Sequence, residues 1–365
     1  MNDQAKYVVI GAGIVGLCVS RRLAQAGEDV LVLERRRVGG GASGAAAGVL
    51  EAAWRPRSEF QRNLAASYAG YAQFVSELRE ETREEVEFSR TGSLTLALDE
   101  ETEQRLDKRF RKLRDEDAPV HWLTREDLLA IFGDGSDSLR AALRHEECQR
   151  VHPPDLMRVL RRSVEGLGVR VVEDLTAVGL EEIGPGYQLS CVAGDREASL
   201  IKAERVIVCA GAWTSDLLRK FGVETEADVV PVRGQMIELE ASAISPFECV
   251  LHFDDHSLII PRPDRRIWVG ATVEELDDFE DRATDEGEAE LFERARKVFP
   301  QIHFSDIRRS WSGLRPKLLR RGGALLSVDG ISILAGHYRN GILGGPRDAD
   351  RLVGELLGRR VSPYW

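Results

Sequence analysis

The chain has 365 residues, of which 43% are hydrophobic and 7% aromatic, so it can bury a sizeable core and is long enough for two domains. Its formal net charge of −11 disfavours a nucleic-acid surface, which needs a basic patch, and we expect no nucleic-acid partner. The five cysteines are scattered and lack C-x-x-C spacing, so neither a disulfide framework nor a metal site is indicated.

The sequence predicts no membrane span and no secretory signal. The longest nearly apolar stretch, residues 7–19, falls short of the ~20 residues that a membrane-spanning helix needs. Residues 1–6 are polar and lack the charged, apolar and small-residue series of a signal peptide. We therefore expect a cytoplasmic protein.

The chain begins with the pattern of a βαβ unit. A strand at residues 7–10 leads through a glycine turn into a helix at residues 14–26, and a second strand follows at residues 30–33. Farther along, the sequence predicts a strand at residues 93–98 and helices at residues 64–79, 100–114 and 126–132. Because the character of the chain changes between residues 86 and 144, we interpret this stretch as an insertion.

The second half of the chain alternates between helical and strand patterns. A helix begins at Pro153, and strands are predicted at residues 169–172, 187–193, 196–202, from 206 onward, 232–240, 257–261, 267–272 and 331–334. Further helices are predicted at residues 215–220, 286–298 and 350–357. The strands between residues 232 and 272 suit one broad antiparallel sheet, with residues 263–266 as a hairpin connection.

The glycine turn has the spacing G-x-G-x-x-G, from Gly11 to Gly16, between a strand and a helix. The first glycine permits the tight turn, the second lets the backbone approach a pyrophosphate, and the third lets helix and strand pack closely. The helix N-terminus then faces the negative charge of the phosphates. Glu34 ends the second strand, where its carboxylate can accept hydrogen bonds from ribose hydroxyls.

A run of small residues distinguishes FAD from NAD as the dinucleotide. Residues 37–48 follow Glu34 and are rich in glycine, alanine and serine, so their backbone amides could form a second phosphate nest. NAD-binding folds rarely need such a nest. The alternative interpretation of this run is a flexible surface loop.

Two later segments have the small residues that allow backbone to pass close to a ligand. The strand from residue 206 runs into Ala210, Gly211 and then Trp213, whose aromatic side chain is typical of a packing residue. Residues 335–343 connect a strand to the last helix, and a helix start there would place amides and a positive dipole end against an electron-rich ring.

With these motifs in place, the sequence resembles the glycine oxidase and D-amino-acid oxidase family of flavin-dependent amine oxidases over nearly the whole chain. The supporting stretches, in chain order, are VVIGAGIVGL, LVLERRRVGGGASGAAAG, VHPPDLMRVL, RVIVCAGAWTSDLL, VVPVRGQMIEL, LIIPR with WVGAT, WSGLRP and LAGHYRNGIL. Each stretch alone is weak evidence, but their combination and order are specific.

The resemblance implies an α/β and α+β fold, in which a Rossmann-type FAD-binding domain contains an inserted antiparallel-sheet substrate domain. The implied FAD-binding domain comprises residues 1–85, 146–225 and 312–365, and the substrate domain comprises residues 86–145 and 226–311. It also implies a noncovalent FAD, held by Gly11, Gly13, Ile14, Val15, Gly16, Glu34, Arg35, Ala42, Ser43, Ala46, Ala47, Gly48, Ala177, Ala210, Gly211, Trp213, His337, Arg339, Asn340, Gly341, Ile342 and Leu343.

Four residues are expected to face the substrate. The resemblance implies that Arg315, in Gly-Leu-Arg-Pro, pairs with a substrate carboxylate, and a planar guanidinium suits that role. His256 and Arg339 are expected at the pocket entrance and beside the flavin, although each has a structural interpretation as well. Leu258 occupies the position of a family tyrosine, so one expected hydrogen bond to the carboxylate is replaced by an apolar wall.

Two further departures concern the loops beside the flavin. Residues 317–323 replace the stretch that usually follows Gly-Leu-Arg-Pro, and Gly344-Gly345-Pro346 replaces the usual apolar start of the final helix. The resemblance implies oxidation of a small carboxylated amine by hydride transfer to flavin N5, followed by imine hydrolysis and reoxidation by O₂. The alternatives are a dehydrogenase that passes electrons to a quinone or protein, and a non-catalytic FAD-binding protein. A homo-oligomer is expected.

Overall fold

The computed structural model of the chain describes residues 4–133, 137–194, 199–224, 228–253, 257–263, 265–319, 325–328 and 330–358. Its helices are α1 (Ile14–Gln25), α2 (Ala42–Ala45), α3 (Glu59–Thr82), α4 (Glu100–Asp115), α5 (Arg125–Phe132), α6 (Pro153–Gly166), α7 (Thr214–Lys220), α8 (Asp285–Arg296) and α9 (Gly341–Leu357). Two short 3₁₀ helices lie at Gly211–Trp213 and Phe304–Asp306.

The strands are β1 (Gln4–Ile10), β2 (Val30–Leu33), β3 (Val49–Leu50), β4 (Phe88–Arg90), β5 (Ser93–Ala97), β6 (Val120–Thr124), β7 (Ala141–His145), β8 (Gln149–Val151), β9 (Arg170–Val172), β10 (Thr176–Ile183), β11 (Gly186–Val192), β12 (Ser199–Val208), β13 (Val229–Glu240), β14 (Val250–Phe253), β15 (Ser257–Arg262), β16 (Arg266–Gly270), β17 (Glu274–Glu275), β18 (Ile307–Leu318), β19 (Leu325–Val328) and β20 (Ile331–Leu334). They form two large sheets and one small one, β3-β8-β4.

The first large sheet has the order β10-β11-β12-β1-β2-β9, and β20 joins it beside β12. Strands β1, β2, β12 and β20 run parallel to their neighbours in this group. The carboxyl ends of parallel strands meet at one edge of a sheet, which is where open α/β sheets bind their ligands. The segments after β1, β2, β12 and β20, which include the motifs noted above, therefore converge at this edge.

Four helices cover one face of this sheet. Helices α1, α3, α6 and α9 pack on one another and share a core with β1 and β2. The buried Arg21 of α1 binds two carboxylates of α3, donating to Glu81 at 2.9 Å and to Glu77 at 3.0 Å. Because a buried cation is tolerated only when it is paired, this cluster ties α1 to α3.

The second large sheet has the order β17-β13-β16-β15-β14-β5-β7-β6, with β18 paired to β13. All of its pairings are antiparallel except one, since β14 runs parallel to β5. The core on one face is built from apolar side chains of these strands together with α5 and α8. The structure confirms the expected combination of a Rossmann-type sheet with a largely antiparallel second sheet. The residue limits of the two domains stay a prediction.

Most predicted elements are present, but three details of the sequence interpretation were wrong. The strand predicted at residues 196–202 lies partly outside the described residues, and its described part forms one strand, β12, with the strand from residue 206. Helix α9 begins at Gly341 rather than near residue 350. Its first turns contain Gly344, Gly345 and Pro346, which disfavour a helix but are buried within this one. A Cβ at Gly345 would lie 3.2 Å from Val15, so this glycine allows α9 to approach α1. In addition, several strands were not predicted, among them β10, β14 and β18.

No helix in the described ranges has the length and apolar character that crossing a bilayer would require. Four of the cysteines, Cys18, Cys148, Cys191 and Cys209, are buried free thiols, and Cys249 is half-buried.

The contact between the first strand and the first helix generates a test of the fold. A Cβ at Gly16 would overlap the backbone carbonyl oxygen of Gly11, and neither backbone can move without displacing the sheet. We expect Gly16→Ala to lower the free energy of unfolding by about 3 kcal/mol, since overpacking a rigid contact is costly. Urea unfolding followed by tryptophan fluorescence measures this change.

Gly166→Ala is the matched control, because Gly166 is also helical and a Cβ there would meet nothing within 4 Å. This substitution should leave the stability unchanged or raise it by up to ~1 kcal/mol. Equal effects of the two substitutions would contradict the close-packing account.

Candidate active site

A cavity of ≈ 600 Å³ lies at the carboxyl edge of the first sheet and is bounded on its other side by β13, β15 and β18 of the second sheet. Its volume falls within the range of ligand-binding clefts. The segments that follow β1, β2, β12 and β20 all contribute to its walls. The cavity is therefore the candidate binding site.

The N-terminus of α1 faces the cavity and is held by a serine from the small-residue segment. The backbone amide of Ile14 donates to Ser43 Oγ at 3.0 Å, and a Cβ at Gly13 would lie 3.1 Å from the same oxygen. The Ser43 hydroxyl keeps its own hydrogen for a ligand. The amides of the first turn, the positive end of the helix dipole and this hydroxyl together suit a phosphate group.

Glu34 lies beside this turn and organises it. One carboxylate oxygen accepts from the Ala12 amide at 2.8 Å, and the other accepts from the Arg36 amide at 2.9 Å. Each oxygen retains a further lone pair, so Glu34 can also accept hydrogen bonds from ribose hydroxyls. The glutamate thus joins the glycine turn to the segment that follows β2.

An aromatic and cationic stack closes the same end of the cavity. The Arg35 guanidinium lies 3.5 Å from the centre of the Trp213 ring, and Phe279 stacks against Trp213 with ring centroids 5.6 Å apart. Burial and the neighbouring Arg36 lower the pKa of Arg35. Trp213 therefore packs against side chains and lines the cavity at once.

The N-terminus of α9 also lines the cavity, next to the first turn of α1. Gly344 donates the first intrahelical hydrogen bond, to the Asn340 carbonyl at 2.7 Å, so the helix begins at this point. The amides of Gly341, Ile342 and Leu343 lie in its first turn, where the dipole is positive. His337 is held by Asp348, with Nε2 and Oδ2 3.1 Å apart. This end suits an electron-rich ring.

The second sheet presents one face to the cavity, and its register explains which residues line it. Met236 lies opposite Gly270, Gly270 opposite Leu258, and Leu258 opposite His252, so the side chains of this row share a face. Gly234 lies on the same face because it is two residues from Met236. Strand β18 pairs with β13 alongside and carries Arg315.

The guanidinium of Arg315 lies flat against the backbone of Gly234, where any Cβ would overlap it. Its Nη1 donates to the Thr272 carbonyl at 2.9 Å and to the Arg233 carbonyl at 3.3 Å. In the described parts of the chain, no carboxylate pairs with Arg315. Burial and the charge of Arg339 lower the pKa of Arg315 to about 10, so the guanidinium is still charged at neutral pH. The site therefore favours an anionic ligand.

One polar pair in the cavity wall was not predicted from the sequence. Glu51 follows β3, and its Oε1 lies 3.1 Å from Nε2 of His252 in β14. Burial opposes ionisation of Glu51, but the hydrogen bond and charge of His252 outweigh it, and the pKa of Glu51 falls to about 2. Neither residue belongs to a recognisable motif, and β14 was not predicted, so only the folded chain brings them together.

The structure brings nearly all of the predicted site residues to one cavity. Its walls include Gly11, Gly13, Ile14, Val15, Glu34, Arg35, Ala42, Ser43, Ala46, Ala47, Gly48, Ala177, Ala210, Gly211, Trp213, Leu258, Arg315, His337, Arg339, Asn340, Gly341, Ile342 and Leu343. Gly16 does not line the cavity, because it lies against Gly11 as a packing residue. His256 lies outside the described residues.

The known proteins that this chain resembles are flavin-dependent oxidoreductases or oxidases. The family model described as FAD dependent oxidoreductase matches residues 6–353. A glycine oxidase of Pseudomonas aeruginosa strain PAO1 is 31% identical over 362 residues, covering 97% of this chain and 95% of that protein.

Two solved structures are similar along the whole chain. Glycine oxidase from Geobacillus kaustophilus has a TM-score of 0.86 at 26% identity and covers 99% of this chain and 96% of that one. Iminodiacetate oxidase from Chelativorans sp. BNC1 has a TM-score of 0.81 at 26% identity, with 98% and 96% covered.

The residues of the cavity fit FAD, and Glu34 allows this fit to be tested. In Glu34→Gln an NH₂ group replaces one side-chain oxygen. This group faces a backbone amide, and it cannot accept a hydrogen bond from that amide or from a ribose hydroxyl. We expect the dissociation constant for FAD to rise about tenfold, equivalent to ~1.4 kcal/mol. Titration of the apoprotein with FAD, followed by flavin fluorescence, measures it.

Glu28→Gln serves as the control, because Glu28 pairs with Lys6 and does not line the cavity. Its FAD affinity should equal that of the unaltered protein. An unchanged FAD affinity in Glu34→Gln would show that Glu34 does not bind the ribose.

Proposed function

This chain belongs to the FAD dependent oxidoreductase family, and from that premise we propose that it oxidises the carbon–nitrogen bond of a small amino acid or N-alkyl amino acid. Family membership confirms the resemblance found in the motifs and the expected FAD cofactor. The observation that carries the choice of substrate is Arg315, a charged guanidinium held in the cavity wall by backbone carbonyls.

Arg315 suits a carboxylate because its partners are neutral. The Thr272 and Arg233 carbonyls position the guanidinium without cancelling its charge. The side chain of Arg233 is already paired, with its Nε 2.9 Å from Glu274 Oε2, so that carboxylate is engaged elsewhere. A substrate carboxylate would supply the missing anion and a charge-assisted hydrogen bond, which contributes about 1.5–3 kcal/mol in a partly dry site.

The reaction requires the cofactor for electrons and the protein for position. FAD, when bound, supplies a two-electron acceptor for the substrate hydride. The chain's own residues orient the substrate through Arg315 and surround it with the apolar side chains of Met236 and Leu258, which exclude water. The oxidised carbon–nitrogen bond is then hydrolysed to an oxo acid and an amine.

The names of the relatives support a small, carboxylated substrate and oxygen as the acceptor. Glycine oxidase and iminodiacetate oxidase are named for substrates that carry a carboxylate next to the oxidised carbon, and both are named as oxidases. We extend this to the present chain as a carboxylated primary or secondary amine, with O₂ reduced to peroxide.

Anaerobic flavin bleaching tests the proposal directly. The FAD-loaded protein, mixed without oxygen with glycine, sarcosine, proline or D-amino acids, should lose its flavin absorbance with at least one of them, and peroxide should form when air is admitted. Methylamine, which lacks a carboxylate, should bleach the flavin far more slowly. Bleaching without peroxide would indicate another electron acceptor, and no bleaching by any amine would contradict the proposal.

Removal of the Arg315 charge should separate substrate binding from FAD binding. We expect Arg315→Leu to retain FAD but to raise the KM for a carboxylated substrate about a hundredfold, since a buried charged hydrogen bond is lost. Steady-state kinetics and the flavin absorbance of the purified protein measure both properties.

Arg308→Leu is the control on the same strand, because Arg308 is exposed and pairs with Glu240 at the surface. Its kinetics should match those of the unaltered protein. An unchanged KM in Arg315→Leu would place the carboxylate elsewhere.

A further inference from the structure

The Glu51–His252 pair is a second polar group in an otherwise apolar part of the cavity. Glu51 keeps 37% of its side chain exposed and His252 keeps 25%, and both line the cavity. Their neighbours Val49, Met236 and Leu258 are apolar. A carboxylate that is only needed to fix a fold would be covered by its partners, whereas this one is open to the cavity.

The carboxylate of Glu51 is an anion with remaining acceptor capacity. His252 is hydrogen-bonded to one oxygen of the Glu51 carboxylate, and the side chains of Ser93 and Cys148 also lie within hydrogen-bonding distance of this carboxylate. A carboxylate offers about four acceptor sites, so the part that faces the cavity can accept from a ligand. Because the low pKa of Glu51 keeps it ionised at neutral pH, the ligand group that fits best is a cation.

The position of this pair relative to Arg315 sets the size of the ligand. The Arg315 guanidinium rests on Gly234 in β13, and His252 lies three strands away in β14, displaced by two residues along the sheet. Strand spacings of about 4.8 Å and a rise of about 3.3 Å per residue separate the two backbone positions by roughly 16 Å. The hydrogen bonds at each anchor span part of this distance, and an extended ligand with a carboxylate at one end and a cation at the other spans the rest.

Leu258 lies between the two anchors, where it neighbours His252 across the strand pair. It replaces the tyrosine that would have supplied a second contact to the carboxylate, so the middle of the cavity offers no polar group at this position. Along this row of described residues, a substrate bound at Arg315 therefore passes the apolar Met236 and Leu258 before it reaches His252 and Glu51.

We propose that Glu51, positioned by His252, is a specificity-determining residue that binds a cationic group at the far end of the substrate. This inference rests on the proposed function, since Arg315 holds the carboxylate and the oxidised carbon–nitrogen bond lies between the two anchors. The substrate class is a carboxylated amine with an arm that ends in an ammonium or a similar cation. The residue takes no part in the chemical step, and its effect is on the binding of one substrate over another.

Equilibrium binding to the FAD-loaded protein tests the subsite without requiring turnover. The probes are 5-aminopentanoate and hexanoate, which have the same length and differ by an ammonium in place of a methyl group. The shift of the flavin spectrum on binding measures both dissociation constants. We expect 5-aminopentanoate to bind at least about tenfold more tightly, as a charge-assisted hydrogen bond to a partly buried carboxylate requires. Equal affinities, or tighter binding of hexanoate, would overturn the inference.

The substitution Glu51→Gln removes the charge while keeping the shape. In this variant the dissociation constants of the two probes should agree within about twofold. The affinity for 5-aminopentanoate falls because its ammonium loses a charged partner, and the affinity for hexanoate changes little. Glu101→Gln is the matched control, since Glu101 is an exposed residue of α4 outside the cavity, and it should keep the full preference. If Glu51→Gln still binds 5-aminopentanoate more tightly than hexanoate, a group other than Glu51 binds the ammonium, and the inference is contradicted.

A kinetic comparison separates this inference from the proposed function. N-(2-aminoethyl)glycine and N-propylglycine differ in the same way as the two binding probes, and the first should have the higher kcat/KM through its lower KM. If the two compounds are oxidised with equal kcat/KM, the cation subsite at Glu51 is contradicted, while the proposed amine oxidation is supported. If neither these nor the smaller amines bleach the flavin but 5-aminopentanoate still binds preferentially, amine oxidation fails and the cation subsite stands as a binding site.

Discussion

The close approach of Gly11 and Gly16 is the constraint on which the site depends. Without side chains at these positions, α1 can begin directly at the end of β1, and its first turn then faces the cavity rather than the sheet. Glu34 and Ser43 are bonded to this turn, so the segment after β2 is placed by the same contact. The binding site for the dinucleotide therefore follows from one packing contact and two side-chain hydrogen bonds.

The second sheet adds the charged side chain that faces the substrate. At the edge of the first sheet the ligand meets backbone amides, small residues and the side chains of Glu34, Arg35 and Trp213, which suit a cofactor. Arg315 of β18 and His252 of β14, which contacts Glu51, lie on separate strands of the second sheet, with the apolar side chains of Met236 and Leu258 between them. Opposite charges at a fixed separation allow discrimination by length as well as by charge, because a ligand must satisfy both groups at once.

The sequence predicts those parts of the molecule that depend on local backbone chemistry. The G-x-G-x-x-G turn, Glu34 and the small-residue segment each have a requirement that is visible in the residues themselves, and the structure brings them to one cavity. Helix propensity alone placed the last helix only at residues 350–357, because Gly344, Gly345 and Pro346 disfavour a helix, and Gly345 is placed in α9 by its packing against Val15 of α1. The Glu51–His252 pair was missed for a different reason. The two residues are distant in sequence, and only the register of β14 with its neighbours places them together.

The central claim is that Arg315 binds the carboxylate of an amine substrate beside the FAD. A crystal structure of the FAD complex with glycolate, which has a hydroxyl in place of the amine of glycine, tests it most directly. The account predicts that the glycolate carboxylate lies within hydrogen-bonding distance of the Arg315 guanidinium, above Gly234, with its α-carbon facing the flavin. A glycolate bound elsewhere, with Arg315 engaged only by the Thr272 and Arg233 carbonyls, would contradict it.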